Sequence, residues 1–295
     1  MQYDVIVIGC GPAGMQAALH AARKKVKVLV LGKQESSALA RAHIDNYFGV
    51  ASMEGKDLLD KGREVAAKFG AQFLAEDALE ISKVDDTFHV KTDRLTEMES
   101  KALILAPGIS RVKLNVDGEK ELYGMGVSYC STCDCHFYKK KTVAVVGDGS
   151  MAAASALLLR DYASKVFWMH RELKASDTLL DKVRASDIEM VAGWPSRIVG
   201  VNKVEALQLD DGRVFALDGV FIELGAKGAA EMAMDLGILP DDNGYVTVDR
   251  DCKTEAEGVY ACGDITGKPW QLARAVGQGC VAGLAAATFV RKEEE

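Results

Sequence analysis

Proline is scarce in this chain, with 5 among 295 residues, and the start Met1-Gln2-Tyr3-Asp4 lacks the basic residues and long apolar core of a signal peptide. No stretch approaches the ~18 uninterrupted apolar residues of a membrane-crossing helix. The alanine-rich run from Cys280 to Val290 is broken by Gly283 and Thr288 and closes on Arg291-Lys292-Glu293, as a packed terminal helix would. Positive charge is in deficit. Against 43 acids stand 36 bases, and a net charge of −7 repels phosphate backbones, which excludes nucleic acid as the expected partner. The expectation is a soluble cytoplasmic protein with no membrane contact. Hydrophobic residues at 48% and charged residues at 27% exclude long disorder, and no linker or low-complexity tract interrupts them. Glycine, by contrast, is plentiful at 28, which without proline points to tight strand–helix turns near ligands. At roughly 150 residues per domain, the length suggests two domains.

Two such turns stand out. The apolar run Val5-Ile6-Val7-Ile8 ends in Gly9-Cys10-Gly11-Pro12-Ala13-Gly14, a helix of small residues follows, and Val26 to Leu31 closes a strand–helix–strand unit of nucleotide-binding size. Glycines there let the backbone approach a pyrophosphate while the helix start supplies N–H donors. The acid that would hold a ribose at the second strand end is missing from Leu31-Gly32-Lys33; Glu35 lies nearby. The design repeats at Thr142 to Val146, Gly147-Asp148-Gly149, a helix from Ala153 and a strand from Val166 to Met169. This duplication predicts two nucleotide units. At the second unit's strand end stand His170 and Arg171, with Lys174 close by, cations suited to a 2′-phosphate and so to NADPH; Glu172 opposes them.

Three of the seven cysteines crowd into Cys130-Ser131-Thr132-Cys133-Asp134-Cys135-His136. A pair spaced like Cys130 and Cys133 can close a disulfide ring with one activated thiol, and Asp134 is placed to relay a proton. Zinc held by Cys130, Cys133, Cys135 and His136, and inert thiols, remain as alternatives; four ligands inside seven residues rarely wrap a tetrahedron, so no metal is expected. Near the C-terminus, the apolar strand Gly258 to Cys262 ends in Gly263-Asp264, ahead of a helix from about Gln271 whose positive end would favour a reduced flavin.

Taken together, these motifs resemble the low-molecular-weight, FAD-dependent thioredoxin reductases over nearly the whole chain. Gly9-x-Gly11-Pro12-Ala13-Gly14, Asn46-Tyr47-x-Gly49, Ala106-Pro107-Gly108, Cys130-Ser131-Thr132-Cys133-Asp134, Gly147-x-Gly149 and Gly263-Asp264 carry the likeness. The resemblance implies an α/β fold of two Rossmann-like, three-layer ββα domains, the second inserted into the first. The FAD domain would comprise 1–112 and 244–295, and a pyridine-nucleotide-like domain bearing the disulfide 113–243. It implies a homodimer, with Cys133 nearest the flavin, Cys130 attacking the disulfide of thioredoxin or a thioredoxin-like protein, and Asp134 as acid–base group. Ala106 and Gly108 would border the FAD, Asp264 would hold its ribitol, Gln271 its ring, and Asn46 would lie beside the isoalloxazine. The inserted domain would turn to expose Cys130.

Departures from that family cluster. Glu35-Ser36-Ser37-Ala38 replaces a Gly-Gly-Gln-Leu loop, Ala154-Ser155 a pair of glutamates, His170-Arg171-Glu172 with Lys174 a fuller cationic cluster, and Gly225-Ala226-Lys227-Gly228 a Gly-x-x-Pro. Three of the four fall on the pyridine-nucleotide side. Each lost phosphate cation costs about 1–3 kcal/mol of recognition. The chain therefore also resembles the branch reduced by ferredoxin or a deazaflavin, and the donor stays open between these and NAD(P)H. A flavin-bearing redox sensor without turnover is the reading from another class.

Overall fold

The computed structural model describes residues 1–109, 113–129, 131–224, 228–241 and 243–292, and only the backbone of 133, 229 and 292. The chain divides into two compact units, Met1–Thr92 with Thr96–Ser110 and Lys227–Glu295, and Asp93–Leu95 with Arg111–Ala226.

The first unit opens with β1 (Gln2–Ile8), α1 (Pro12–Arg23) and β2 (Val28–Leu31). A short pair, β3 (His43–Ile44) and β4 (Met53–Glu54), leads to α2 (Gly55–Lys68) and β5 (Gln72–Leu74). An antiparallel meander follows: β6 (Ala78–Val84), β7 (Thr87–Thr92) and β8 (Glu97–Leu105). The sheet runs β5-β2-β1-β8-β7-β6, with β1 parallel to both β2 and β8. The central strands are apolar without alternation because both faces are covered. Val5 and Val7 pack with α1 on one side, while Ile6 and Ile8 pack with Phe88, Val90 and Met98 of the meander on the other.

The second unit holds β9 (Val127–Ser128), a single turn α3 (Ser131–Asp134), β10 (Thr142–Val146), α4 (Ser150–Arg160), β11 (Lys165–His170), α5 (Asp177–Arg184) and β12 (Glu189–Ala192). Antiparallel β13 (Pro195–Gly200), β14 (Val204–Leu209) and β15 (Val214–Ala216) form a separate layer before β16 (Gly219–Ile222). The main sheet, β12-β11-β10-β16-β9, is parallel throughout. Ala144, Val146, Phe167 and Met169 of its strands share a core with Ile198, Leu207 and Leu209 of the antiparallel layer.

The chain then completes the first unit with α6 (Ala229–Asp235), β17 (Val259–Ala261) parallel to β8, and α7 (Leu272–Lys292). Met232 and Ala233 of α6 are buried beside Ile6 and Leu103. The return therefore falls at 226/227, earlier than the 243/244 boundary read from the sequence, because α6 already belongs to the first core. Over Leu272–Arg291, α7 is long and apolar enough for a membrane span by length and composition. Its small residues account for that apolarity: a Cβ on Gly279 would stand 2.2 Å from the Ala13 carbonyl oxygen, and one on Gly283 equally close to that of Ala17. Two backbones this close admit only small side chains between them.

Candidate active site

In the first unit the glycine turn is fixed by close approach. Gly9 has φ +119°, a region that disfavours side chains, and a Cβ on it would meet the Ala106 carbonyl oxygen at 2.1 Å. A Cβ on Gly14 would come to 1.9 Å from the Gly9 carbonyl oxygen, so the helix can sit on the turn only as glycine. Gly11 caps α1 with no side-chain acceptor, and Pro12 follows at its first position. The helix start thus offers free N–H groups and its positive end to an anion.

The ends of β8 and β17 meet this turn. Ala106 is buried and its N–H donates to the Ile8 carbonyl at 2.8 Å. Gly108 has φ +76° with open space where a Cβ would be. Gly263 (φ +81°) would touch the Ala13 methyl at 2.9 Å if it carried a side chain. Asp264 follows, half-buried, and burial raises its carboxyl pKa while the Arg274 guanidinium opposes that rise. Arg274 is itself tied to the turn, donating to the carbonyls of Thr266 at 3.2 Å and Gly267 at 2.5 Å. Gln278 Oε1 accepts from the Gly263 N–H at 3.0 Å. Of the remaining flavin-side residues, exposed Gln271 caps α7, its carbonyl accepting from the Ala275 N–H, and Asn46 is exposed in the loop between β3 and β4. Glu35 is exposed in the turn after β2, where Lys33 pairs with Asp77 at 2.6 Å.

The second unit repeats the turn with a different lining. Gly147 (φ +156°) would strike the Glu223 carbonyl oxygen at 2.0 Å with a Cβ, whereas Gly149 faces open space. Ser150, the first residue of α4, donates through Oγ to the Asp93 carboxylate at 3.2 Å and accepts from the Ser176 N–H at 3.0 Å. A buried carboxyl group therefore already stands at this helix start. At the strand end, the Asp148 carboxylate accepts from the backbone N–H groups of Arg171 at 2.7 Å and Glu172 at 3.1 Å. Burial holds the His170 imidazole below its ordinary pKa, so at neutral pH it brings no charge. The Arg171 guanidinium lies over the Trp194 ring, 4.3 Å from its centroid, and Lys174 pairs with Glu172 at 2.9 Å. The three cations read from the sequence are thus neutral, stacked or paired.

Cys130 lies outside the described residues, as do 225–227 of the departed Gly-x-x-Pro, and no side chain is described for Cys133. Around them, Ser131 is fully buried and its Oγ lies 2.8 Å from Ser155 Oγ, which donates to Glu223 Oε1 at 2.9 Å. Asp134 is half-buried and adds to the burial that raises the Tyr138 phenol. The Cys135 thiol is buried and donates to the Thr132 carbonyl at 3.7 Å, and its neighbourhood raises the Tyr162 phenol.

The sequence profile of the pyridine nucleotide-disulphide oxidoreductases matches residues 3–279. The thioredoxin reductase of Listeria monocytogenes is 34% identical over 307 residues, covering 99% of this chain and 95% of its own length. The chain belongs to the thioredoxin reductases of this family. Among solved structures, an atypical thioredoxin reductase from Desulfovibrio vulgaris Hildenborough is similar with a TM-score of 0.88 and 32% identity, over 99% of both chains. A ferredoxin-flavin thioredoxin reductase from Clostridium acetobutylicum follows at 0.73 and 34%, again over 99% of both.

In this thioredoxin reductase, sequence reading missed Arg274, Asp93, Asp148 as an acceptor, and Glu223. Asp148 was legible as an acid inside a glycine turn. Asp93 and Glu223 are brought to their sites from 57 and 68 residues away and left no local signal, while Arg274 reaches back two turns of chain to Thr266 and Gly267.

Proposed function

We propose that the chain is a flavin-dependent thioredoxin-disulfide reductase whose Cys130–Cys133 disulfide accepts two electrons and hands them to thioredoxin or a thioredoxin-like protein. The convergence of the Gly9–Gly14 turn, Ala106 and Gly263-Asp264 on one helix start carries this reading, since each approach leaves room for backbone and ligand but not for a side chain. FAD, when bound, supplies two-electron chemistry between a donor and a disulfide. The residues at hand fit it: the α1 start takes the pyrophosphate, and Asp264, held in place beside Arg274, accepts from the ribitol hydroxyls. Gly108 leaves space at the end of β8, with Asn46 and Gln271 assigned to the flavin ring.

On the thiol side, Cys130 attacks the thioredoxin disulfide as thiolate, forming a mixed disulfide. Cys133 then attacks Cys130 sulfur, releasing reduced thioredoxin and restoring the pair as disulfide. Asp134 holds and returns the proton exchanged at the pair. The two compact units correspond to the FAD domain and the pyridine-nucleotide-like domain. A cytoplasmic homodimer completes the reading that family membership supports.

For the donor, we favour ferredoxin or a deazaflavin over NADPH. A 2′-phosphate arriving at the second unit would meet the Asp148 carboxylate, neutral His170 and paired Lys174, and a pyrophosphate would meet Asp93 at the α4 start. Gly147 and Gly149 keep the turn with a thinned cationic lining, in which Arg171, stacked on Trp194, is the cation that remains. The test is anaerobic reduction of the purified flavoprotein by NADPH, NADH and reduced ferredoxin side by side, followed by thioredoxin-dependent disulfide reduction. Bleaching by NADPH at turnover rates overturns the donor; absence of turnover with every donor favours a sensor.

A further inference from the structure

The acid that a dinucleotide unit ordinarily carries at the end of its second strand is absent from the first unit for a steric reason. Gly32 stands there with φ +134°, and a Cβ on it would lie 3.2 Å from the Cys10 backbone nitrogen. Three parallel strands end side by side at this point, in the order β1, β2, β5. The Gly9 N–H donates to the Leu31 carbonyl at 2.8 Å, and the Gly32 N–H to the Leu74 carbonyl at 3.2 Å. The Cys10 thiol donates to the Gly32 carbonyl at 3.1 Å, which ties the first glycine turn to the end of β2.

Past the end of β5 stands Asp77. Its carboxylate accepts from the Lys33 ammonium at 2.6 Å, and both side chains are half-buried, at 21% and 30% exposure. Glu35, the acid that the sequence offers for this role, is exposed in the turn after β2. The Cys10 thiol registers the difference between them. Burial is what chiefly raises it, the Arg63 guanidinium opposes that rise, and the Asp77 carboxylate adds to it more than Glu35 does.

We propose that Asp77 accepts the hydroxyls of the adenosine ribose in the first unit, with Lys33 as the positioning residue that holds its carboxylate at the strand ends. The proposal deepens the reading of this unit as the FAD domain and rests on it.

The chemistry of the ligand decides between the two acids. With the pyrophosphate at the α1 start, the adenosine half runs outward across the carboxyl ends of the parallel strands, over β2 toward β5. A ribose diol brings O–H donors and needs acceptors there. An ionised carboxylate has about four acceptor sites, so holding Lys33 does not exhaust Asp77. A charge-assisted hydrogen bond gains most where water is partly excluded, as around Asp77, and least in open solvent, as around Glu35. The Lys33 ammonium also offsets a negative charge that would otherwise face the diphosphate. A mononucleotide flavin has no adenosine half to engage the pair, so the pair favours the dinucleotide form.

The experiment uses the full chain freed of flavin and measures how ADP, 2′-deoxy-ADP and 3′-deoxy-ADP compete with FAD, read by flavin fluorescence. Wild type is expected to bind ADP about tenfold more tightly than at least one deoxy analogue, the worth of one hydrogen bond to a charged acceptor. In Asp77→Ala that preference should fall below about twofold and the Kd for FAD should rise about tenfold. Lys33→Met, which keeps the carboxylate but removes its brace, should lower the preference to about threefold, and Glu35→Gln should retain it in full. All three competitors carry the same diphosphate, so their ratio is blind to a general loosening of the site or to a change of charge beside the pyrophosphate. Circular dichroism certifies folding, and Lys33→Met reads the same ratio independently of how Asp77→Ala folds. An undiminished preference in both Asp77→Ala and Lys33→Met, its loss in Glu35→Gln, or a wild type indifferent to both deoxy analogues overturns the proposal. A wild-type chain that takes up neither FAD nor ADP overturns the functional reading beneath it instead.

Discussion

The Asp148 carboxylate accepts the Arg171 backbone N–H at 2.7 Å, at the strand end where a 2′-phosphate would need cations. The same oxygen takes the Glu172 N–H, so backbone donors that an anion could use are already satisfied from within the chain. With Lys174 paired to Glu172, the cation left to meet a phosphate at this strand end is Arg171, laid on Trp194.

From this arrangement, NADPH at millimolar concentration should leave both the flavin spectrum under anaerobic conditions and the thermal midpoint of the protein unchanged. Binding even at a hundredfold excess over Kd would raise stability by about 2.7 kcal/mol. Differential scanning calorimetry with and without NADPH reads this directly.

The α1–α7 crossing gives a paired prediction. Gly279→Ala places a methyl 2.2 Å from the Ala13 carbonyl oxygen and should destabilise by about 1–3 kcal/mol while weakening FAD retention if, as proposed, the α1 start takes the pyrophosphate. Gly277, with nothing within 4 Å, should gain about 0.5–1 kcal/mol on conversion to alanine. Urea unfolding of the two variants separates a packing effect from a helix-propensity effect.

Asp264 carries a pH signature. Burial raises its folded-state pKa above the unfolded one, so the folded flavin-free protein binds the proton more tightly. Its contribution to stability is therefore present below the unfolded value and is lost as pH rises through the raised one. In Asp264→Asn that component of the slope disappears. Comparing denaturation midpoints of the two flavin-free proteins across the acid range tests the sign, and FAD affinity should fall in the variant at neutral pH.

Thiol reactivity should divide cleanly. Burial pushes the Cys10 thiol up to about 12 and that of Cys252 up to about 11, and raises Cys262 as well. These three should resist iodoacetamide at neutral pH in the folded protein, while Cys130 and Cys133 label after reduction. Peptide mapping before and after unfolding in urea checks it, since unfolding should make all seven reactive.

Much of the fold is legible along the chain. The runs ending at Gly9 and Gly147 read as buried strands feeding helices, because period and punctuation are local properties, and both appear as β1–α1 and β10–α4. The return from the second unit was less so. Residues 229–235 carry no mark saying which core their apolar face will join, and packing of Met232 and Ala233 against the first sheet decides it.

The site divides in the same way. Residue types and spacing alone determined where the two glycine turns and the Gly263-Asp264 strand end lie, since each depends on backbone that a few neighbouring residues dictate. Only the tertiary structure decided that Arg274 braces that strand end, that Asp148 and Glu172 take up donors and the Lys174 cation while burial leaves His170 neutral, and that Glu223 reaches Ser131 through Ser155. Hydrogen bonds and burial join groups distant in sequence, and a side chain's charge is settled by what folding brings against it.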